Sequence, residues 1–568
     1  MAQAGAGGAG MLGTAAAARD ARAGHPPAPG RRGTPWRDPA TVAIAAATLL
    51  ALGLRLWQLG RPGYLLGLTE YDDGPYFGSA VHLVQGTLPY RDFVLVQPPG
   101  ITLLMTPAAL AGKLTGTAWA MAAGRILTAL ASTAGVVLTG LLVRHRGVVA
   151  TTVACGFLAV YPDSVAAAHT VLVEPWLAVF CLAGAVAVFD GDRLAGRRRL
   201  AWGGAAFGFA GAIEAWAIVP VLVVLALCLP QVRPAAAFAA GVAAGFLIPV
   251  LPFAAAAPER FYQSLIVAQI GPRAGVTRVP IYARLTEMSG LTYLHPPGPA
   301  GLGFAHLQDH TVVALGVMSL VLFVLGGLAV VVLAARRPPT ALEWFAVATT
   351  ALVVAIFLWP SQFHYHFCAF LAPFLTLAIA LPASGALPAS GTGRAGAAGR
   401  SWRRPVAAGL AAAVIAVFAV IGVRAENGLR PYVSPAEIAA AARVIPPGSC
   451  VVTDEVSLLL LADRFTAAGP GCSPVVDGLG TDLALSGGLR PATGAGRVPA
   501  VAAVWRQAFA RARFIWLSRL NRRRIAWNPG LRAYFTSHFA RVLTDRRGDA
   551  LYRRISAAAG SRRSSRPA

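Results

Sequence analysis

Two adjacent carboxylates, Asp72 and Asp73, stand in the run TEYDDGPYFGSAVHLVQGTLPYRDFVLVQPPG, which joins two apolar stretches and is dense in polar, aromatic and turn residues. Loops of this density commonly carry binding or catalytic groups. Gly74 and Pro75 turn the chain after the pair, and YFGSAVHLVQG reads as a short amphipathic helix lying along a membrane surface. A carboxylate held in such a partly desolvated place can deprotonate a hydroxyl. The competing reading is structural: Asp is favoured at helix N-caps and beside the positive end of the helix dipole, so the pair can simply cap that helix. Asp92, in PYRDF, has the same ambiguity as a partner for Arg91 or a turn former.

Further along, Asp163, His169 and Glu174 lie in and after the next loop on the same side. Glu174 falls one turn into an apolar run, where burying a charged carboxylate is expensive and an ionisable residue is a functional hypothesis by default. Glu214 sits where two apolar runs meet and reads equally as a hydrated helix end. His364 and His366, in QFHYHF, have an i,i+2 spacing that splits them across a helix. With no carboxylate or cysteine nearby in sequence, that spacing argues for interfacial histidines among aromatics over a metal site.

These residues have to be held by apolar elements. Of 568 residues 56% are hydrophobic and 13% charged, against about 25% charged in soluble domains. The chain reads as an α-helical polytopic membrane protein with about eleven transmembrane helices. Apolar stretches fall near 40–59, 119–143, 147–162, 170–190, 200–214, 216–230, 234–256, 311–334, 341–359, 363–382 and 405–423. The stretch around Pro107 is expected to lie at the interface. Residues 1–39 are rich in Gly, Ala, Pro and Arg and read as a disordered basic cytoplasmic tail, and 383–404 as a flexible cytoplasmic linker.

With the N-terminus inside, the short arginine clusters all fall on the cytoplasmic side, as the positive-inside rule requires. A first loop, 60–118, a second, 257–310, and the region 424–568 then lie outside, with the plasma (inner) membrane as the location. The 40–423 region forms the membrane domain. The last region holds strand-like CVVTD (450–454) and FIWLS (514–518), helix-like runs at 455–465 and 498–512, and a strand pair near 539–555. It reads as a small extracytoplasmic α/β domain. Cys450 and Cys472 both fall there, where a disulfide and two free thiols stay equally open, while Cys155, Cys181, Cys228 and Cys368 read as small buried helix residues. The net charge of +25 is scattered in short clusters between apolar runs, which fits topogenic signals and excludes a nucleic-acid face.

The run from Tyr71 to Gly100 resembles the first extracytoplasmic loop of GT-C superfamily glycosyltransferases, the bacterial relatives of protein O-mannosyltransferase and lipid A aminoarabinose transferase. The resemblance continues more weakly through Arg125, the stretch YPDSVAAAHTVLVEPWLAVF and the aromatic run around 359–375. It implies a GT-C-like membrane domain and transfer of a sugar from a polyprenyl-phosphate-linked donor to a glycan, lipid or protein acceptor among membrane lipids. The resemblance makes both acids catalytic: Asp72 matches the family's base, which would deprotonate the acceptor, and Asp73 the second acid, where Glu is usual, which would orient the acceptor or an optional metal. Gln97 stands before Pro98 where some relatives have Lys, so a phosphate contact there is open. The departing lipid phosphate needs positive charge, for which Arg91, Arg125, Arg273 and Arg284 are the candidates. Substrate contacts are expected at Arg91, Asp92, Gln97, Arg125, Asp163, His169, Glu174 and Arg284, with no metal site assigned and a divalent cation optional. A transporter or lipid flippase is the alternative from another class, disfavoured by the lack of an internal repeat. A non-catalytic envelope assembly protein is the third.

Overall fold

Ten of the apolar runs form helices in the computed structural model, which describes residues 38–270, 278–290, 338–360, 362–385, 403–427, 430–465, 472 and 475–555. The run at 311–334, Arg273, most of the linker 383–404 and nearly all of the tail 1–39 lie outside the described residues. Helix α1 (Pro39–Leu59) begins on Asp38, whose side chain accepts from the Ala40 amide. Proline at its first position gives up an amide that has no helical partner there. Helix α2 (Asp73–Val84), buried from Asp73 to His82 instead of lying on a surface, and α3 (Gly100–Thr115), which runs through Pro107 unbroken, come next. Behind them is α4 (Thr117–Val143). Beyond it stand α5 (Val148–Val160), α6 (Pro162–Ala166), α7 (Val173–Val188), α8 (Arg197–Ile213), α9 (Ile218–Cys228) and α10 (Val232–Ala256). A short antiparallel hairpin, β1 (Phe189–Asp190) with β2 (Arg193–Leu194), joins α7 to α8. Helices Ala341–Phe357, Phe367–Gly385 and Arg403–Asn427 complete the bundle.

Length and apolarity establish fewer spans than the expected count of about eleven. Among the described residues, α1, α4 with its short extension and α10 are long and apolar enough to cross a membrane. The pair α5–α6 adds a fourth if taken as one span bent by 56°. The bend falls at Tyr161, because the proline that follows pushes its backbone out of the helical region. The other apolar helices are short: the 11 residues of α9 rise only about 17 Å against a hydrocarbon core of about 30 Å. The backbone breaks at Pro162 and again at Glu214, where the apolar runs are themselves interrupted.

Small residues decide how closely the helices meet. A side chain on Gly241 of α10 would stand 2.1 Å from the carbonyl oxygen of Ala201, and one on Gly208 of α8 would stand 2.1 Å from that of Val242. This is the small-xxx-small contact by which apolar helices bring their backbones together. Arg55 on α1 is fully buried, and its guanidinium donates to Ser132 Oγ (2.9 Å), Ser164 Oγ (3.0 Å) and the carbonyls of Ala51 and Ala159. It ties α1 to α4, α5 and α6 in the apolar interior, where an unsatisfied donor costs several kcal/mol.

Residues 430–555 carry a four-stranded sheet ordered β3-β4-β6-β5, with β3 (Val451–Thr453) parallel to β4 (Phe514–Leu517) and the pairs β4–β6 and β5–β6 antiparallel. Strands β5 (Phe539–Thr544) and β6 (Ala550–Arg554) supply the edge hairpin. Strands β3, at one edge, and β4 beside it are buried at every position, as uninterrupted apolar runs such as FIWL require. Trp505 and Phe509, on the helix Pro499–Arg511, fill a core against Ile515 and Phe539. A second apolar core is continuous from the helix bundle into Val433, Val451, Leu458 and Trp516, so this sheet shares packing with the membrane helices.

Cys450 and Cys472 form a disulfide across 22 residues, resolving the alternative left open by sequence. Closing a loop of that size restricts the unfolded chain and is worth about 3 kcal/mol. Cys450→Ser, or reduction of the wild type, is expected to lower the thermal midpoint of the 430–555 region by several degrees; an unchanged midpoint under reductant would show that the bond carries no stability.

Candidate active site

The two acids of the loop face opposite ways. Asp73, in the first turn of α2, is completely buried. Its Oδ2 accepts from Arg125 at 2.7 Å and from the Thr170 hydroxyl, and its Oδ1 from Ser457 Oγ at 2.6 Å. Arg125, equally buried on α4, turns its other amino group onto the carbonyls of Tyr64, Leu65 and Gly67 at 2.9–3.0 Å. Five segments meet at this pair: the loop after α1, α2, α4, the turn before α7 and the helix Val456–Leu461. Gly74 makes room for the last of them, since a Cβ there would lie 2.5 Å from Ser457 Oγ. Asp73 and Arg125 are thus committed to each other, and the expectations of an acceptor contact and a phosphate contact respectively give way to a structural clamp.

Asp72 makes no capping bond to α2, although it occupies the N-cap position. The structural alternative therefore describes neither acid well: one is clamped and the other uncapped. The Asp72 side chain is 33% exposed, with Oδ2 3.7 Å from His366 Nε2. On the far side of the imidazole, Nδ1 stands 2.7 Å from Glu174 Oε1. Dense protein around the Asp72 carboxyl pushes its pKa up to about 7; the positive charge of His366 opposes the rise, and Glu70, Asp477 and Glu174 add to it. Glu70, two residues earlier, is raised by burial as well and accepts from Tyr365 at 3.3 Å. His366 was not among the residues singled out for this site. The one signal for it was the aromatic run QFHYHF, because its partner Glu174 is 192 residues away.

The remaining expected residues divide into near and far. Gln97 lies beside the pair: its amide donates to Tyr76 (3.2 Å) and Glu214 (3.4 Å), and its carbonyl accepts from Tyr90. Arg91 and Asp92 bind each other at 2.7–2.9 Å on the exposed side of the loop, the local pairing that sequence held open. His169 is buried with Nδ1 against the Ala166 carbonyl and its ring against Tyr64. Asp163 is buried beside Glu287 and Cys368, apart from Asp72. Arg284 is buried, donating to the carbonyls of Val279 and Phe357 with Phe363 under its guanidinium. Its neighbour Arg278 is exposed and reaches the Leu358 carbonyl at 3.0 Å.

The last third of the chain closes over the loop. Tyr71 donates to Asp477 at 2.9 Å, and Asp477 also caps the helix Gly478–Ser486 by accepting from the Gly480 amide. Arg524 lies 4.1 Å over the Tyr71 ring while paired with Glu455. Sequence had assigned no site to this region. Among the described residues no three His, Cys, Asp or Glu side chains converge as a metal-binding set.

Comparison with solved structures gives the class. No family model and no curated relative matches the chain. Its fold is that of ArnT from Cupriavidus metallidurans bound to undecaprenyl phosphate, with a TM-score of 0.55 over 91% of this chain and 99% of that one, at 14% identity. The apo form of the same protein gives 0.54 at 15% identity. The Archaeoglobus fulgidus oligosaccharyltransferase tethered with an acceptor peptide gives 0.50 at 12% identity, over 92% of this chain and 74% of that one. Both proteins are GT-C superfamily members, and this chain is a helical membrane protein with the GT-C fold.

Arg125→Met leaves Asp73 charged and buried without its partner, a loss of about 3–5 kcal/mol. The expected outcome is a sharp drop in folded protein extracted from membranes, with part of the loss recovered in Arg125→Met/Asp73→Asn. A monodisperse single variant of wild-type thermal midpoint would remove the clamp.

Proposed function

We propose that this protein is a membrane glycosyltransferase that moves a sugar from a polyprenyl-phosphate donor to an envelope acceptor at the outer face, with Asp72 as general base. One observation carries the reading: of two adjacent acids, Asp73 is used up in the fold while Asp72 is uncapped, one-third open and raised to about 7. The likeness to GT-C structures bound to undecaprenyl phosphate and to an acceptor peptide supports the substrate classes.

In this mechanism the acceptor hydroxyl gives its proton to Asp72 as its oxygen attacks the anomeric carbon. The bond from that carbon to the phosphate oxygen breaks, and the electron pair leaves with the polyprenyl phosphate. Attack opposite the phosphate inverts the anomeric centre. Arg278, exposed next to buried Arg284, is our candidate for the charge that receives the phosphate, since guanidinium groups suit phosphate oxygens. Asp73 positions Asp72 through the clamp. The N-terminus lies in the cytoplasm and residues 424–568 form an extracytoplasmic domain of the plasma membrane protein, where the Cys450–Cys472 bond meets an oxidising compartment.

The base works as the carboxylate, so transfer is present above about pH 7 and falls about tenfold per unit below it. The stability contribution runs the other way: a raised carboxyl favours the fold when protonated, and this is lost as pH climbs from the ordinary carboxylate range through about 7. Asp72→Asn is expected to reduce transfer from labelled polyprenyl-phosphate sugars by about 10²–10⁴-fold at wild-type levels of folded protein. Undiminished transfer would remove Asp72 as the base.

A further inference from the structure

The imidazole of His366 is 4% exposed and has a carboxylate at each nitrogen: Glu174 Oε1 2.7 Å from Nδ1 and Asp72 Oδ2 3.7 Å from Nε2. A neutral ring presents a lone pair at one nitrogen, which would face a carboxylate oxygen; only the doubly protonated ring donates toward both. The ring is held in place by Phe367 edge-on at 5.1 Å and by His364 stacked at 5.3 Å. The groups facing Asp72 from the surrounding elements are acids: Glu70 from its own loop, Glu174 from α7 and Asp477 from the chain's last third. Tyr76 of α2 and Glu214 at the end of α8 stand just beyond. Against this set, His366 is the positive group among the largest influences on Asp72.

We infer that His366, oriented by Glu174, is the positioning residue of the base: it holds Asp72 Oδ2 from behind, keeps the carboxyl ionised amid its acidic neighbours and leaves Oδ1 to the acceptor. The pair Glu174–His366 supplies charge and direction, and neither residue touches the sugar. This inference rests on the reading of Asp72 as the base. It limits how far burial and three neighbouring acids disfavour the carboxylate, because a nearby opposite charge in protein surroundings favours the ionised form. It also gives Glu174 a partner, and so a reason for an acid in the first turn of an apolar helix.

The test uses the full chain in lipid nanodiscs and two readouts. In pH-difference infrared spectra, the carboxyl band that Asp72→Asn removes is expected to titrate near 7 in the wild type. In His366→Gln its midpoint is expected to rise by about one unit or more, which cuts the ionised fraction on the acid side about tenfold. Glu174→Gln, which loosens and partly discharges the ring, moves it the same way by less, and carries the test if the histidine variant is unstable. Initial rates of transfer should follow: His366→Gln loses activity about tenfold at pH ~6.5, recovers toward pH ~9, and keeps the wild-type KM for the donor. An unmoved midpoint, or a rate loss equal at every pH, overturns the role of His366. If Asp72→Asn keeps full transfer, the base reading itself fails; if that variant is dead and the His366→Gln midpoint is unmoved, the base stands and only this inference falls.

Discussion

The buried pair of Asp73 and Arg125 is the contact on which the rest of the site depends. Taking two charges out of water is repaid only if nearly every polar atom around them finds a partner. Thr170, Ser457 and the carbonyls of Tyr64, Leu65 and Gly67 are drawn in to meet that demand. Satisfying one carboxylate and one guanidinium therefore fixes a loop, three parts of the bundle and a helix from the last third of the chain. Successive side chains at the start of a helix point about 100° apart, so once Asp73 is locked inward, Asp72 is aimed elsewhere.

The arrangement separates two jobs that adjacent acids can confuse. One acid spends all its acceptor capacity on the protein and holds position. Its neighbour has one weak attachment, a histidine at 3.7 Å, makes no capping bond to an amide, and so stays open to another molecule. Burial, with the acids around it adding to the effect, raises its proton affinity toward neutrality.

Much of this was legible in the letters. The helices stand where apolar runs of sufficient length stand, and Pro162 marks the bend between α5 and α6. The strands VVT and FIWL were plain because neither face of either strand meets water. Asp72 and Asp73 were visible as a pair, yet nothing in their spacing tells which turns inward, because that is decided by Arg125, 52 residues away. Arg125 itself looked like a cation for the lipid phosphate. His366 was hidden for a related reason: its spacing from His364 argued against a metal, and its true partners, Glu174 and Asp72, are brought to it only by the packing of the bundle. Among the described residues three helices meet the length of a span, and shorter ones such as the 11 residues of α9 do not by themselves.

Ser457 is the feature with the widest reach. It supplies the donor for one Asp73 oxygen, and it lies 384 residues after the acid it satisfies. A ribosome that has made the entire loop, both acids and all of α2 has still not made the group that completes their surroundings. The surroundings of the two acids are thus completed only late in synthesis, and a partly made chain, already threaded into a membrane, carries Asp73 without the last of its donors.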